Sequence, residues 1–430
     1  MKETGIQWIG AIPDSWNLIR LKDWCISKKE VAGQKSSEYE RLALTLNGVI
    51  KRAKDDSEGL QPKEFDTYQI LEANDFVFKM IDLQNISTSR VGLSPYTGLV
   101  SPAYIRFAPR HEGQFNEYIY YYLMSLYYNC VFNSMGGDGV RSALNATDMG
   151  NFKCPFPNID LQKKIVSFIK EKSAEIDALI EVENKQIEKL KEYKQAVITE
   201  AVTKGLDKTA PMKDSGVDWI GEIPQDWKVF PLKYLFSFGK GLPITKENLI
   251  EEGIPVVSYG QIHAKWNTGV TLHNELKRFV SDTYLETNPE CLVNKGDFIF
   301  ADTSEDREGC GNAAFVDSQE VLFAGYHTIV LRANDKAYSK YLAYLFLTDN
   351  WRQQIRTRVS GVKLFSISKR ILCDTSVLLP NNFEAIIDFL DDKCADIERL
   401  IEIKHKKIDE LNEYKKSLIY EYVTGKKEVV

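Results

Sequence analysis

The chain has 430 residues, with 55 Lys and Arg against 61 Asp and Glu, for a formal net charge of −6. This is too long for one hydrophobic core and predicts two or more domains. A hydrophobic share of 43% and a charged share of 27% are ordinary for a globular protein; no run of about 18 apolar residues is present to span a membrane, and the opening MKETGIQWIGAIPDSW lacks the apolar centre of a signal peptide, so a cytoplasmic chain is expected.

The first recognisable element is W-I-G-x-I-P-x-x-W, from Trp8 to Trp16. A first insert follows, with strand-like runs at Phe76 to Phe78 and Ala103 to Phe107 and a turn signal at Gly136-Gly137. Asn116 to Asn129 reads as an aromatic-rich helix, and its tyrosines, at helical spacing, fit a core better than a base-stacking surface. From Ile165 to Thr203 apolar residues recur every eleven: Ile165, Ile176, Ile187 and Ile198, with Phe168, Leu179, Leu190 and Ala201 beside them. Eleven residues over three turns is about 3.67 per turn, so the stripe stays on one side of a nearly straight helix. About 40 residues rise roughly 60 Å. The opposite face, including Lys185, Glu188, Lys189 and Glu192, is expected to be solvated.

Then the chain repeats itself. Gly5, Trp8, Ile9, Gly10, Ile12, Pro13 and Trp16 return 211 residues later as Gly216, Trp219, Ile220, Gly221, Ile223, Pro224 and Trp227. The second insert has strand-like runs at Pro255 to Ser258, Asp297 to Ala301 and His327 to Leu331, a turn at Asn334-Asp335 and a helical stretch from Ser339 to Gln354. The long helix returns 221 residues on, with Ile386, Ile397, Ile408 and Ile419 flanked by Phe389, Leu400, Leu411 and Tyr422. The offset grows from 211 to 221, so two similar frames hold different fillings. A long helix with one apolar stripe needs a partner, and its own repeat is the nearest. The predicted fold class is mixed α/β: two globular domains separated by a long antiparallel two-helix coiled-coil spacer, with a pseudo-twofold internal repeat. Expected bounds are 1–157 for the first domain, 158–206 for the first spacer helix, 207–380 for the second domain and 381–430 for the second helix.

Catalytic motifs are hard to find. The chain has no G-x-x-x-x-G-K-[ST] phosphate loop. Ser94-Pro95-Tyr96 is the nearest string to a DNA aminomethyltransferase motif, lacks a glycine loop upstream, and reads as a turn. Asp297, Asp302 and Glu305 resemble a nuclease cluster, but Arg307 stands where a lysine is wanted, and a solvated loop fits better. His263 and His273 have no cysteine at ligand spacing, and the seven scattered cysteines form no C-x-x-C pair, so neither zinc nor a disulfide framework is expected. No catalytic residue, cofactor site or metal site is predicted.

Basic clusters are the candidates for DNA contact. Between Trp351 and Ile371 lie Arg352, Arg356, Arg358, Lys363, Lys369 and Arg370 with no acidic residue. Guanidinium groups suit guanine edges and phosphates, and nearby Ser and Thr hydroxyls suit phosphates. The first insert offers Arg141 beside Gly136, Gly137 and Gly139, and a small cluster of Lys51, Arg52 and Lys54. Each is also compatible with a solubilising face. Neither insert is basic overall, so weak nonspecific binding by the isolated chain is expected.

The repeated W-I-G-x-I-P-x-x-W, the proline-containing exits at Pro155, Pro157 and Pro380, and Gln162 followed by Ile165 resemble a specificity subunit of a type I restriction–modification system. In the second copy Phe383-Glu384-Ala385 replaces the glutamine region. The resemblance implies two target recognition domains, each reading half of a split, asymmetric double-stranded DNA site, with the helices setting the gap at about one helical turn, roughly 34 Å. It implies docking of two methyltransferase subunits that carry the S-adenosylmethionine chemistry, together with restriction and translocase subunits, and no membrane. Two other classes stay open on the residues alone: a self-contained DNA methyltransferase or nuclease, and a coiled-coil scaffold that never touches DNA.

Overall fold

The computed structural model describes residues 1–46, 48–56, 64–83, 90–135 and 143–429. The chain divides into two units, Met1–Asn184 with His405–Val430, and Lys185–Lys404. Two helices, Ile159–Lys204 and Phe383–Val423, contribute to both. None of the described helices is long and apolar enough to cross a membrane.

The two fillings share one topology. In the first unit, one sheet orders its strands Cys25–Ser27, Ile105–Pro109, Phe76–Lys79, Arg90–Leu93. In the second, the order is Phe236–Lys240, Thr328–Ala333, Phe298–Ala301, Ala313–Phe315. A second sheet in the first unit runs Gly48–Arg52, Arg41–Thr45, Gly98–Val100, Gln69–Leu71, and its counterpart runs Arg278–Val280, Ile254–Val257, Leu322–Ala324, Leu292–Val293. Each contains one parallel pairing, Arg41–Thr45 with Gly98–Val100 and Ile254–Val257 with Leu322–Ala324. The expectation of two different fillings is corrected to this extent: side chains diverge, but the sheets do not. Asp75-Phe76-Val77-Phe78 and Asp297-Phe298-Ile299-Phe300 are equivalent. Both aspartates are buried and accept a backbone N–H at the strand entry, Asp75 from Glu72 at 2.8 Å and Asp297 from Asn294 at 2.9 Å. Asp297 is therefore a strand-entry residue.

The Asn116–Asn129 reading matches a helix at Glu117–Tyr128. The stretch from Ser339 to Gln354 is two helices, Ser339–Phe346 and Asp349–Arg356, because Thr348 adopts an extended backbone and its side chain accepts from Trp351 N as a new N-cap. The strand expected from His327 begins at Thr328, since His327 has a left-handed backbone at φ +54°.

The repeated tryptophan motif has a mechanical role. In the first unit Trp16 packs edge-on to Tyr118 at 6.4 Å, and Tyr118 Oη donates to Val423 O at 2.8 Å. In the second, Trp227 packs edge-on to Tyr341 at 6.5 Å, and Tyr341 Oη donates to Val202 O at 2.9 Å. Each tyrosine thus satisfies a carbonyl at the C-terminal turn of a long helix, where no intrahelical donor remains. Gly205 and Gly425 end these helices at φ +75° and +69°. A Cβ on Gly425 would sit 2.4 Å from Pro13 Cδ, which ties this glycine to the motif directly.

Antiparallel helix pairing is present in each unit. In the first, Lys415 Nζ lies 2.7 Å from Asp177, and Lys407 Nζ lies 2.5 Å from Glu183. In the second, Lys194 Nζ lies 2.5 Å from Glu398, and Lys404 bonds Gln186. Each pair in one unit maps onto a pair in the other at the 221-residue offset. The four isoleucines Ile165, Ile176, Ile187 and Ile198 are buried, as are Ile386, Ile397 and Ile419. Leu179 and Leu400 are not; both lie exposed on the helix surface, because the second stripe sits too far round to reach the partner helix along its whole length.

Candidate nucleic-acid interface

In the first unit, Lys51 and Arg52 belong to the strand Gly48–Arg52. Lys51 Nζ pairs with Glu40 at 2.5 Å and lies 5.2 Å from the Tyr96 ring centre, and Arg52 is half-buried. Lys54 Nζ donates to Ser36 O at 2.8 Å. Lys51, Arg52 and Lys54 line one shallow concavity with Ser37 to Arg41. Arg141 lies outside the described residues. Ser94-Pro95-Tyr96 is a turn in which Ser94 Oγ donates to Tyr96 O at 2.7 Å.

The Trp351–Ile371 run divides into two groups. Arg352 is half-buried and its Nε donates to Phe346 O at 2.8 Å; desolvation, with Arg356 nearby, pushes its pKa down to about 10. Arg356 Nη1 lies 2.8 Å from Asp349 and Nη2 donates to Glu308 O at 2.7 Å. Arg356 ties the helix Asp349–Arg356 to the loop that contains Glu308, and Arg352 ties it to the end of the preceding helix, Ser339–Phe346. The other four face solvent. Arg358 reaches the Asp374 carbonyl at 3.0 Å, Lys369 lies over the Phe238 ring at 5.5 Å, and Lys363 and Arg370 are exposed.

Lys363 sits on a turn that composition did not single out. Ser360 bridges to Ser366, and Phe365–Ser366 pairs antiparallel with Thr303–Ser304, forming a short ribbon. At its tip Gly361 has φ +151°, where a Cβ would meet Leu364 O at 2.0 Å. Val362 is 94% exposed and Leu364 is half exposed. The first unit has the same ribbon in rudiment, an Ile81–Ala143 bridge with Leu144 N donating to Met80 O; in the second unit Ile367 N donates to Asp302 O.

Beside the ribbon, sequence reading missed an aromatic and histidine group. Tyr259, Tyr326 and His327 are mutual edge-on neighbours at 5.4 to 6.0 Å. His263 Nε2 lies 2.8 Å from Thr303 O and its Nδ1 lies 3.1 Å from Asn312 Nδ2. A carbonyl only accepts, so Nε2 carries the proton and ties the ring to the ribbon, while Nδ1 accepts from Asn312. Among the described residues no group of three or more His, Cys, Asp or Glu is placed to hold a metal ion.

A family model described as the type I restriction modification DNA specificity domain matches residues 13–192 and again 224–424. The MjaVIII type I restriction enzyme specificity subunit of Methanocaldococcus jannaschii is 23% identical over 427 residues, covering 96% of this chain and 93% of its own length. A chain from a solved structure concerned with complex assembly and conformational transition of a type I restriction–modification system superimposes with a TM-score of 0.65 at 14% identity. That match covers 96% of this chain and 98% of the other, and shows the shared fold.

Proposed function

The chain belongs to the type I restriction–modification DNA specificity family, and on that premise we propose that each of its two units reads one half of a bipartite, asymmetric double-stranded DNA site. The subunits of this family that carry specificity are not catalysts, so this protein supplies the address for a methyltransferase and is not itself a methyltransferase, a nuclease or a scaffold indifferent to DNA. The observation that carries the two-half reading is the doubling of one topology with divergent ribbon residues. A shared frame with unlike reading surfaces suits two unlike half-sites.

Direct contact falls to the exposed members of the basic run, Arg358, Lys363, Lys369 and Arg370, and to the Lys51, Arg52 and Lys54 concavity in the first unit. Arg356 supports the Glu308 loop from behind, and Arg352 braces the helix that carries it. Phosphate contacts position such a protein and base contacts specify the site.

Two methyltransferase subunits dock on the long helices in a cytoplasmic complex, which restriction subunits complete. Leu179 and Val182 are exposed in the first unit, and Leu400 and Ile403 in the second. All four are between 48% and 56% exposed, and each member of one pair lies 221 residues from its equal in the other. Two matching apolar patches fit two copies of one partner.

Methylome sequencing of cells that express this chain with a cognate methyltransferase tests the reading. A bipartite motif with a fixed gap that disappears when the chain is deleted is expected. A single continuous motif, or methylation independent of the chain, would overturn it.

A further inference from the structure

His327 is held in a way that packing alone does not explain. Its backbone is left-handed, at φ +54°, a region uncommon for residues other than glycine, in which asparagine, aspartate and histidine are the more frequent exceptions. Its side chain is 58% exposed, so the strain is not offset by burial. The ring lies edge-on to Tyr259 at 5.4 Å and to Tyr326 at 6.0 Å. On its inner side Nδ1 lies 3.3 Å from Asp302 Oδ1, a buried atom with no hydrogen bond of its own. Asp302 is fixed in turn by its backbone, whose N–H donates to His327 O at 3.1 Å and whose carbonyl accepts from Ile367 N at 2.7 Å. Strain of this kind persists where function requires a fixed side-chain position.

We propose that His327 reads a base edge in the half-site recognised by the second unit, an inference that rests on the DNA-reading role proposed above. With hydrogen on Nδ1, the nitrogen that lies 3.3 Å from the Asp302 carboxylate, the ring presents Nε2 outward as an acceptor. Its complement in the major groove is an exocyclic amine, cytosine N4 or adenine N6. The surroundings favour a base over a phosphate. Asp302 adjoins the ring, and the loop after the ribbon adds Glu305, Asp306 and Glu308 with Arg307 the one cation among them. That local charge repels backbone phosphate and tolerates an amine donor.

Strand register shows that the first unit lacks this group. Ile105 pairs with Phe78, and Ile329 pairs with the equivalent Phe300. Two residues before Ile329 is His327, and two before Ile105 is Ala103. The contact therefore belongs to one half-site alone, as an asymmetric target demands.

The left-handed backbone supplies an unusual test. His327→Gly relieves strain, because glycine occupies this region freely, so the variant folds at least as well as the parent. The assembled methyltransferase complex, with parent chain or variant, is assayed for methyl transfer to duplexes in which every base pair of both half-sites is varied singly. We expect His327→Gly to keep its thermal midpoint and lose discrimination at one position of one half-site, by roughly tenfold or more. Discrimination throughout the other half-site stays unchanged. His273→Ala, on an exposed histidine elsewhere in the second unit, keeps the full pattern. Loss of activity by the same factor on every duplex would assign His327 to phosphate or to assembly and overturn the proposal, as would an unchanged pattern. If the parent complex itself shows no bipartite preference, the underlying reading of the protein fails, which is a separate and distinguishable result.

Discussion

Tyr341→Phe removes one oxygen, and the structure gives its worth. The Tyr341 hydroxyl and the Val202 carbonyl are both buried, and their 2.9 Å hydrogen bond satisfies a helix-end acceptor that has no intrahelical donor. Burial holds the Tyr341 pKa well above its usual value, so the hydroxyl stays protonated and donates across the usable pH range. Deleting it leaves the carbonyl dehydrated and unpaired, a cost of about 1–3 kcal/mol. A chain with two units need not unfold in one step, so a single melting temperature is the wrong readout. Hydrogen exchange of the amides at 199–205 reports the opening of that helix end directly. About 1–3 kcal/mol corresponds to roughly five- to 150-fold faster exchange. Tyr118→Phe, which releases Val423 O, should do the same at the end of the second helix and leave 199–205 untouched. Exchange that quickens less than about threefold in either variant would refute the claim that the tyrosines cap the helices. Acceleration in only one would refute the equivalence of the two frames.

Arg106→Ala should be the more damaging change. The guanidinium is fully buried, lies 2.5 Å from Asp75 and 2.8 Å from Glu72, and also donates to Ile70 O. Its loss strands the buried Asp75 carboxylate, at a cost of about 3–5 kcal/mol in urea unfolding of the first unit; a change below about 1 kcal/mol would show that the pair is dispensable. Ile176→Asp and Leu179→Asp separate seam from surface. Ile176 is buried, so a carboxylate there should lower stability by more than about 2 kcal/mol, whereas Leu179→Asp should leave unfolding unchanged and weaken pull-down of the methyltransferase. Equal effects of the two substitutions on unfolding would contradict the exposure pattern.

How much of this was legible in the chain depends on where the physics is local. The eleven-residue isoleucine stripe predicts helix and buried face together, since spacing alone decides which side chains share a side. The second stripe misled because a helix surface is wider than the contact it makes: Leu179 and Leu400 keep the period and still miss the partner helix. Thr348 is a cap in the structure, but Ser339 to Gln354 is aromatic and helix-tolerant enough to hide the break. Common topology of the inserts was obscured because strand pairing is non-local and few side chains are retained; Asp75-Phe76 and Asp297-Phe298 were its visible trace.

The surface proposed to read DNA was the least legible part, for a related reason. Charge counting found Arg352 and Arg356, which point inward, as readily as Lys363 and Arg370, which do not. A run of basic residues says how much charge is present and not where it faces. His327 carried no signal of this sort. It stood inside an apparent strand, and only its left-handed backbone, its contact with Asp302 and its exposure distinguish it from an ordinary strand histidine. A specificity protein must differ between targets at the residues that matter most to it, so those residues are the ones that composition and repeat identify last. Under the proposed function the frame repeats because both units dock alike, and the readers diverge because the half-sites do.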